Sequence, residues 1–81
     1  MIDGLGAALY GEIRVANGRV LQNNFDRYRL LRFDQAPAIE VHVVEGSHEP
    51  TGMGEPPYPP VAAALCNAIF AATGTRHRRL P

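Results

Sequence analysis

From Tyr10 to Val15 apolar and polar residues alternate, Asn17-Gly18 interrupts, and Arg19-Val20-Leu21-Gln22 resumes the pattern. Asn-Gly supplies the two positive-φ residues of a type I′ turn, so residues 10–23 are expected to form a hairpin that pairs Val15 with Val20. A second alternating run, Ala38 to Glu45, sets Ile39, Val41 and Val43 on one face and Glu40 and His42 on the other. That is the pattern of a half-buried strand over 38–45. Past Pro60 the period changes, because between Val61 and Ala72 only Asn67 is polar. This predicts a helix over 60–74, with Pro60 in its first turn and Gly74 at its C-terminal cap. A helix apolar on every side must be enclosed on every side, and a single hairpin cannot enclose it. The chain therefore reads as part of something larger.

The remaining segments carry weaker patterns. Gly4, Gly6, Ala7 and Ala8 make residues 1–9 unusually small, as in the trailing end of a helix that packs closely on a neighbour. Residues 23–37 mix aromatics, arginines and aspartates without a sustained period, so an irregular stretch with at most one helical turn near Leu30 is expected. Gly46, Pro50, Gly52, Gly54, Pro56, Pro57, Pro59 and Pro60 rule out helix or ladder strand over 46–60 and leave a stiff, shaped loop. The fold class these elements suggest is α+β: a small, mostly antiparallel sheet of hairpin plus one strand, with the C-terminal helix packed on a face.

Length and charge narrow the function. At 81 residues the chain holds one domain's worth of sequence and can bury only a small core. Its formal charge is zero and every basic side chain is an arginine, so no basic face selects nucleic acid as a partner. No apolar run reaches the roughly 20 residues that cross a bilayer, and the N-terminus lacks a secretion signal's basic flank and apolar stretch. A soluble chain is the expectation, with the compartment, cytoplasm or periplasm, left open. The one cysteine, Cys66, lies among alanines and Leu65 on the apolar helix and acts there as a small apolar group. Arg76, His77, Arg78 and Arg79 follow the helix end, where positive charge complements the dipole.

Candidate chemistry is sparse. His42, His48, His77 and Cys66 lack the paired close spacings of metal ligands, so no metal site is assigned to them. Nucleophile-elbow, phosphate-loop and dinucleotide fingerprints are all missing. Glu55 remains, in Gly52-Met53-Gly54-Glu55-Pro56-Pro57, directly before the apolar helix. Glycines let backbone approach a ligand, prolines fix the direction of the helix that follows, and desolvation makes a carboxylate a stronger base. Residue physics alone leaves a second account open, in which Glu55 is a solvated loop residue.

The stretch from Gly52 through Glu55, Tyr58, Cys66 and Asn67 to Gly74 resembles the C-terminal signature of the xanthine dehydrogenase family of molybdenum hydroxylases. Gly4-Leu5-Gly6-Ala7-Ala8-Leu9-Tyr10-Gly11-Glu12, Asn24-Phe25-Asp26-Arg27-Tyr28, Ile39-Glu40-Val41-His42-Val43-Val44 and Arg78-Arg79-Leu80-Pro81 extend the likeness over essentially the whole chain.

The resemblance implies a C-terminal portion of the molybdopterin-binding large subunit. It places Glu55 beside the molybdenum as general base and Gly52, Met53 and Gly54 against the cofactor. It also implies molybdopterin cytosine dinucleotide as the cofactor, its metal held by the pterin dithiolene. The substrate would be a small aromatic N-heterocycle, of isoquinoline type, or an aldehyde, hydroxylated with water. Partners would be the rest of the large subunit and an iron–sulfur subunit that takes the electrons, and the isolated chain is expected to bind no cofactor and to be inactive. Many relatives carry a glycine and a small residue after the motif's Glu-Pro, where Pro57 and Tyr58 stand here, a change that reshapes the pocket wall. The competing account is a small non-enzymatic interaction or scaffold module.

Overall fold

The computed structural model describes all residues from Met1 to Pro81. In chain order the elements are α1 (Ile2–Tyr10), β1 (Val15–Ala16), β2 (Arg19–Val20), a short 3-10 turn (Phe33–Gln35) and α2 (Pro60–Thr73). The class is α+β, with two helices and one two-stranded antiparallel sheet.

The hairpin forms where its turn chemistry demands. Asn17 and Gly18 take φ of 50° and 73°, and Val15 pairs with Val20 and Ala16 with Arg19. One rung further out, the Leu21 N–H donates to the Arg14 carbonyl at 2.9 Å and the Arg14 N–H to Gln22 Oε1 at 2.7 Å. Arg14 also forks onto the Glu12 carboxylate at 2.9 and 3.1 Å, an exposed pair of the kind that contributes little to stability. The hairpin touches neither helix.

Helix α2 starts and stops as its sequence specifies, with Pro60 at its first position and Gly74 at φ 72° beyond its end. Only glycine takes that left-handed conformation without steric cost, and it turns the Gly74 N–H back to the Phe70 carbonyl at 2.8 Å. The basic tail folds back here, since Arg76 stacks 3.8 Å above the Phe70 ring and donates at 2.9 Å to Oδ1 of Asn67, the helix's one polar side chain before Thr73.

Two expectations are corrected. Residues 38–45 form no third strand: the sheet has two strands, and this segment makes no backbone hydrogen bond. Its alternation is real, but a strand exists only against a partner edge, and the chain supplies none. Nor does α2 pack on the sheet; it packs on α1. The buried residues are Gly4, Gly6 and Ala8, all on α1, while α2 has none. Small side chains on α1 permit the close approach, and the rest of the apolar surface of α2 stays uncovered. An open apolar cleft shows this, running between Ile2 and Leu5 of α1, Ala38 and Ile39, and Val61 and Leu65 of α2.

Two sizes measure the shortfall. A folded protein of this mass exposes about 4,800 Å², whereas this chain exposes 7301 Å². Its radius of gyration is 16.2 Å against about 12 Å for a compact domain of this length. Phe33, 99% exposed, and Val44, 90% exposed, are what a chain without its own core looks like. Purified alone, the chain is expected to melt in calorimetry without a sharp cooperative transition, and most amides outside α1 and α2 should exchange within the dead time. A single sharp transition with matching calorimetric and van't Hoff enthalpies would contradict this.

Candidate catalytic loop

Glu55 opens the last turn before α2. Its carbonyl accepts the Tyr58 N–H at 2.8 Å, so Glu55-Pro56-Pro57-Tyr58 closes as a reverse turn, and the Tyr58 carbonyl accepts the Val61 N–H at 3.3 Å. The loop is thus continuous with the first turn of α2. Pro56, Pro57, Pro59 and Pro60 each fix their own φ near −65°, which limits how this passage can bend.

Helix α1 presses on the same point from the other side. Gly4 is buried, and a Cβ built on it would lie 3.1 Å from the Tyr58 carbonyl oxygen and 3.3 Å from Val61 Cβ. Gly6, one residue beyond the next, faces Leu31 instead. The sequence marked Gly4 and Gly6 as close-packing positions through their small size; that Gly4 meets the carbonyl of the Glu55 turn emerges only from the structure.

The Glu55 side chain is exposed and has no hydrogen-bond or ion-pair partner within the chain. With Gly52, Gly54, Pro56 and Pro59 it lines an open hollow. A Cβ at Gly52 or Gly54 would meet nothing within 4 Å, so the loop backbone borders space that a large group can enter. Met53, between them, is exposed as well. Of the four residues singled out from the sequence, Gly52, Gly54 and Glu55 line this hollow and Met53 does not. The desolvation expected to strengthen the base is not supplied by this chain, because its apolar helix lies behind the turn and nothing closes the hollow in front.

No group of three His, Cys, Asp or Glu side chains is arranged to hold a metal ion. His42 is exposed, with Nε2 3.6 Å from the Glu40 carboxylate, and Cys66 is half-buried on α2. A cofactor whose metal arrives already ligated would fit these surroundings, since the loop offers open backbone and a free carboxylate rather than a ligand set. No helix is long and apolar enough to cross a membrane.

Comparison with known proteins adds what the geometry leaves open. The chain is 38% identical, over its whole length, to 7% of a nicotinate dehydrogenase subunit of Pseudomonas putida. It is 36% identical, again over its whole length, to 10% of the beta subunit of isoquinoline 1-oxidoreductase of Brevundimonas diminuta. Identity of 35% over 96% of the chain joins it to 11% of a xanthine dehydrogenase molybdenum-binding subunit of Escherichia coli. A membrane-bound aldehyde dehydrogenase of Gluconacetobacter polyoxogenes, 33% identical over 96% of the chain and 10% of its own length, is named with pyrroloquinoline quinone instead of molybdenum. The chain spans about a tenth of the length of these relatives. No protein-family model and no solved structure matches it.

Proposed function

This chain belongs to the xanthine dehydrogenase family of molybdenum-dependent dehydrogenases, to which it is homologous along its whole length, and on that premise we propose that it is the C-terminal part of a molybdopterin-binding large subunit that contributes the catalytic base, Glu55. The observation that carries the reading is the placement of Glu55. A carboxylate free of partners stands at the head of a proline-fixed turn, beside two glycines that face open space.

In the assembled subunit Gly52, Met53 and Gly54 would lie against molybdopterin cytosine dinucleotide, the two glycines leaving room for it. When bound, that cofactor supplies the oxygen derived from water and accepts the two electrons taken from the substrate. Glu55 takes up the proton released as oxygen is added to a carbon next to a ring nitrogen or to a carbonyl carbon. Proton transfer to a positioned base requires hydrogen-bond reach and a site drier than bulk water, and the remaining subunit supplies the missing front wall of the hollow. Pro57 and Tyr58 stand two and three residues from the base and shape the pocket edge, where the choice between an N-heterocycle such as an isoquinoline and an aldehyde is made. An iron–sulfur partner subunit carries the electrons away.

The quinone in one relative's name makes cofactor identity a measurable point. Molybdenum is favoured because two relatives, each 35% identical over 96% of the chain, are named as molybdenum-binding subunits, against one at 33% named with the quinone. The purified parent complex is expected to hold about one molybdenum per large subunit, as for any resident catalytic metal; a quinone chromophore with no molybdenum would overturn the assignment. Elemental analysis of the 81-residue chain alone should find none, because most of the site's walls lie on other sequence. In the parent complex Glu55→Gln is expected to keep molybdenum content and substrate KM while kcat falls by about 10²–10⁴-fold, the usual worth of a general base. Normal turnover in that variant would remove Glu55 from the mechanism and favour the account in which the loop is only structural.

A further inference from the structure

The geometry points to Gly4 as a positioning residue for Glu55, one that sets where the base stands by letting α1 lie directly against the turn that carries it. This rests on the reading of Glu55 as the base.

Glycine is disfavoured within a helix relative to alanine, and Gly4 stands at the third position of the nine-residue α1. At Gly4 the cost has a visible return. The missing Cβ would stand 3.1 Å from the Tyr58 carbonyl oxygen, 3.3 Å from Val61 Cβ and 3.4 Å from Val61 Cγ2. The first two of these atoms cannot rotate out of the way, since one is backbone and the other is fixed to it. An added methyl group is therefore accommodated by moving α1 and the turn apart by a few tenths of an ångström. That turn has little slack: the Tyr58 N–H is held by the Glu55 carbonyl at 2.8 Å, and Pro56 and Pro57 fill the positions between them. Displacement at Tyr58 is passed to Glu55 instead of being absorbed by the loop.

Gly6 provides the internal control. A Cβ there would lie 3.4 Å from Leu31 Cβ and 3.6 Å from Leu31 N, which is ordinary contact and away from the turn. Gly4→Ala and Gly6→Ala each add one methyl group to the same short helix, so a loss of kcat confined to Gly4→Ala reports the contact with Tyr58 and Val61.

The test uses the parent holoenzyme. Since an error of 1 Å in placing a reacting group costs about 10²-fold, a shift of a few tenths should lower kcat by roughly 3–10-fold in Gly4→Ala. Molybdenum content and substrate KM should stay unchanged, Gly6→Ala should stay within about twofold of the parent kcat, and a crystal structure of Gly4→Ala should show the Tyr58 carbonyl displaced. The deciding comparison is made in the Glu55→Gln background, where Gly4→Ala should have no further effect, because a residue acting through the base cannot act once the base is gone. An unchanged kcat in Gly4→Ala, or the same fold-loss with and without the Glu55 carboxylate, would overturn the assignment. Full activity of Glu55→Gln itself would instead overturn the reading of the base, a separate result. Should Gly4→Ala fail to load molybdenum, Val61→Ala removes methyl groups from the same contact without adding bulk. It should lower kcat at least twofold at constant KM, and an unchanged kcat would again overturn the assignment.

Discussion

Where α1 meets the start of α2, the absence of one methyl group at Gly4 sets the distance between the helices. This approach is the one contact between elements other than the hairpin's own pairing, because the hairpin strands touch neither helix and residues 38–45 make no backbone hydrogen bond. The approach fixes the first turn of α2, the first turn fixes Tyr58, and Tyr58 closes the turn that starts at Glu55. A candidate catalytic carboxylate is thus held from behind by backbone packing while its front remains open.

How much of this could be read from the sequence depended on how local the determining interaction was. The hairpin was legible because Asn17-Gly18 imposes its own geometry, and the ends of α2 were legible because Pro60 and Gly74 act within one turn of the chain. The run from Ile39 to Val44 has a strand's alternation without a strand's partner, and alternation cannot say where a partner edge lies. Likewise the apolar character of α2 showed that it needs cover on all sides but not that α1 is the element that packs on it. The site divides in the same way. Gly52, Gly54 and Glu55 are near neighbours in sequence and line one hollow, with Met53 exposed between the glycines, whereas the contact between Gly4 and Tyr58 spans most of the chain and left only a cluster of small residues as its trace.

Surface area unites the physical and the comparative findings. The exposed large apolar side chains include Phe70 on α2, Ile39, Val41, Val43 and Val44 in the 38–45 segment, Ile13, Val15, Val20 and Leu21 around the hairpin, and Phe25 and Phe33 in the connecting loops. Relatives roughly ten times longer have ample sequence to cover them. Packing against the loop and helix from outside would both close the hollow beside Glu55 and cover α2.

The unpaired segment from Ile39 to Glu45 also carries a consequence for association. Its backbone donors and acceptors are available to any strand they meet, and Val41, Val43 and Val44 give it the composition of a self-associating edge. Glu40 and Glu45 place like charges that would stack at short spacing if identical copies aligned in register, so self-pairing is penalised while pairing with a strand of different charge is not.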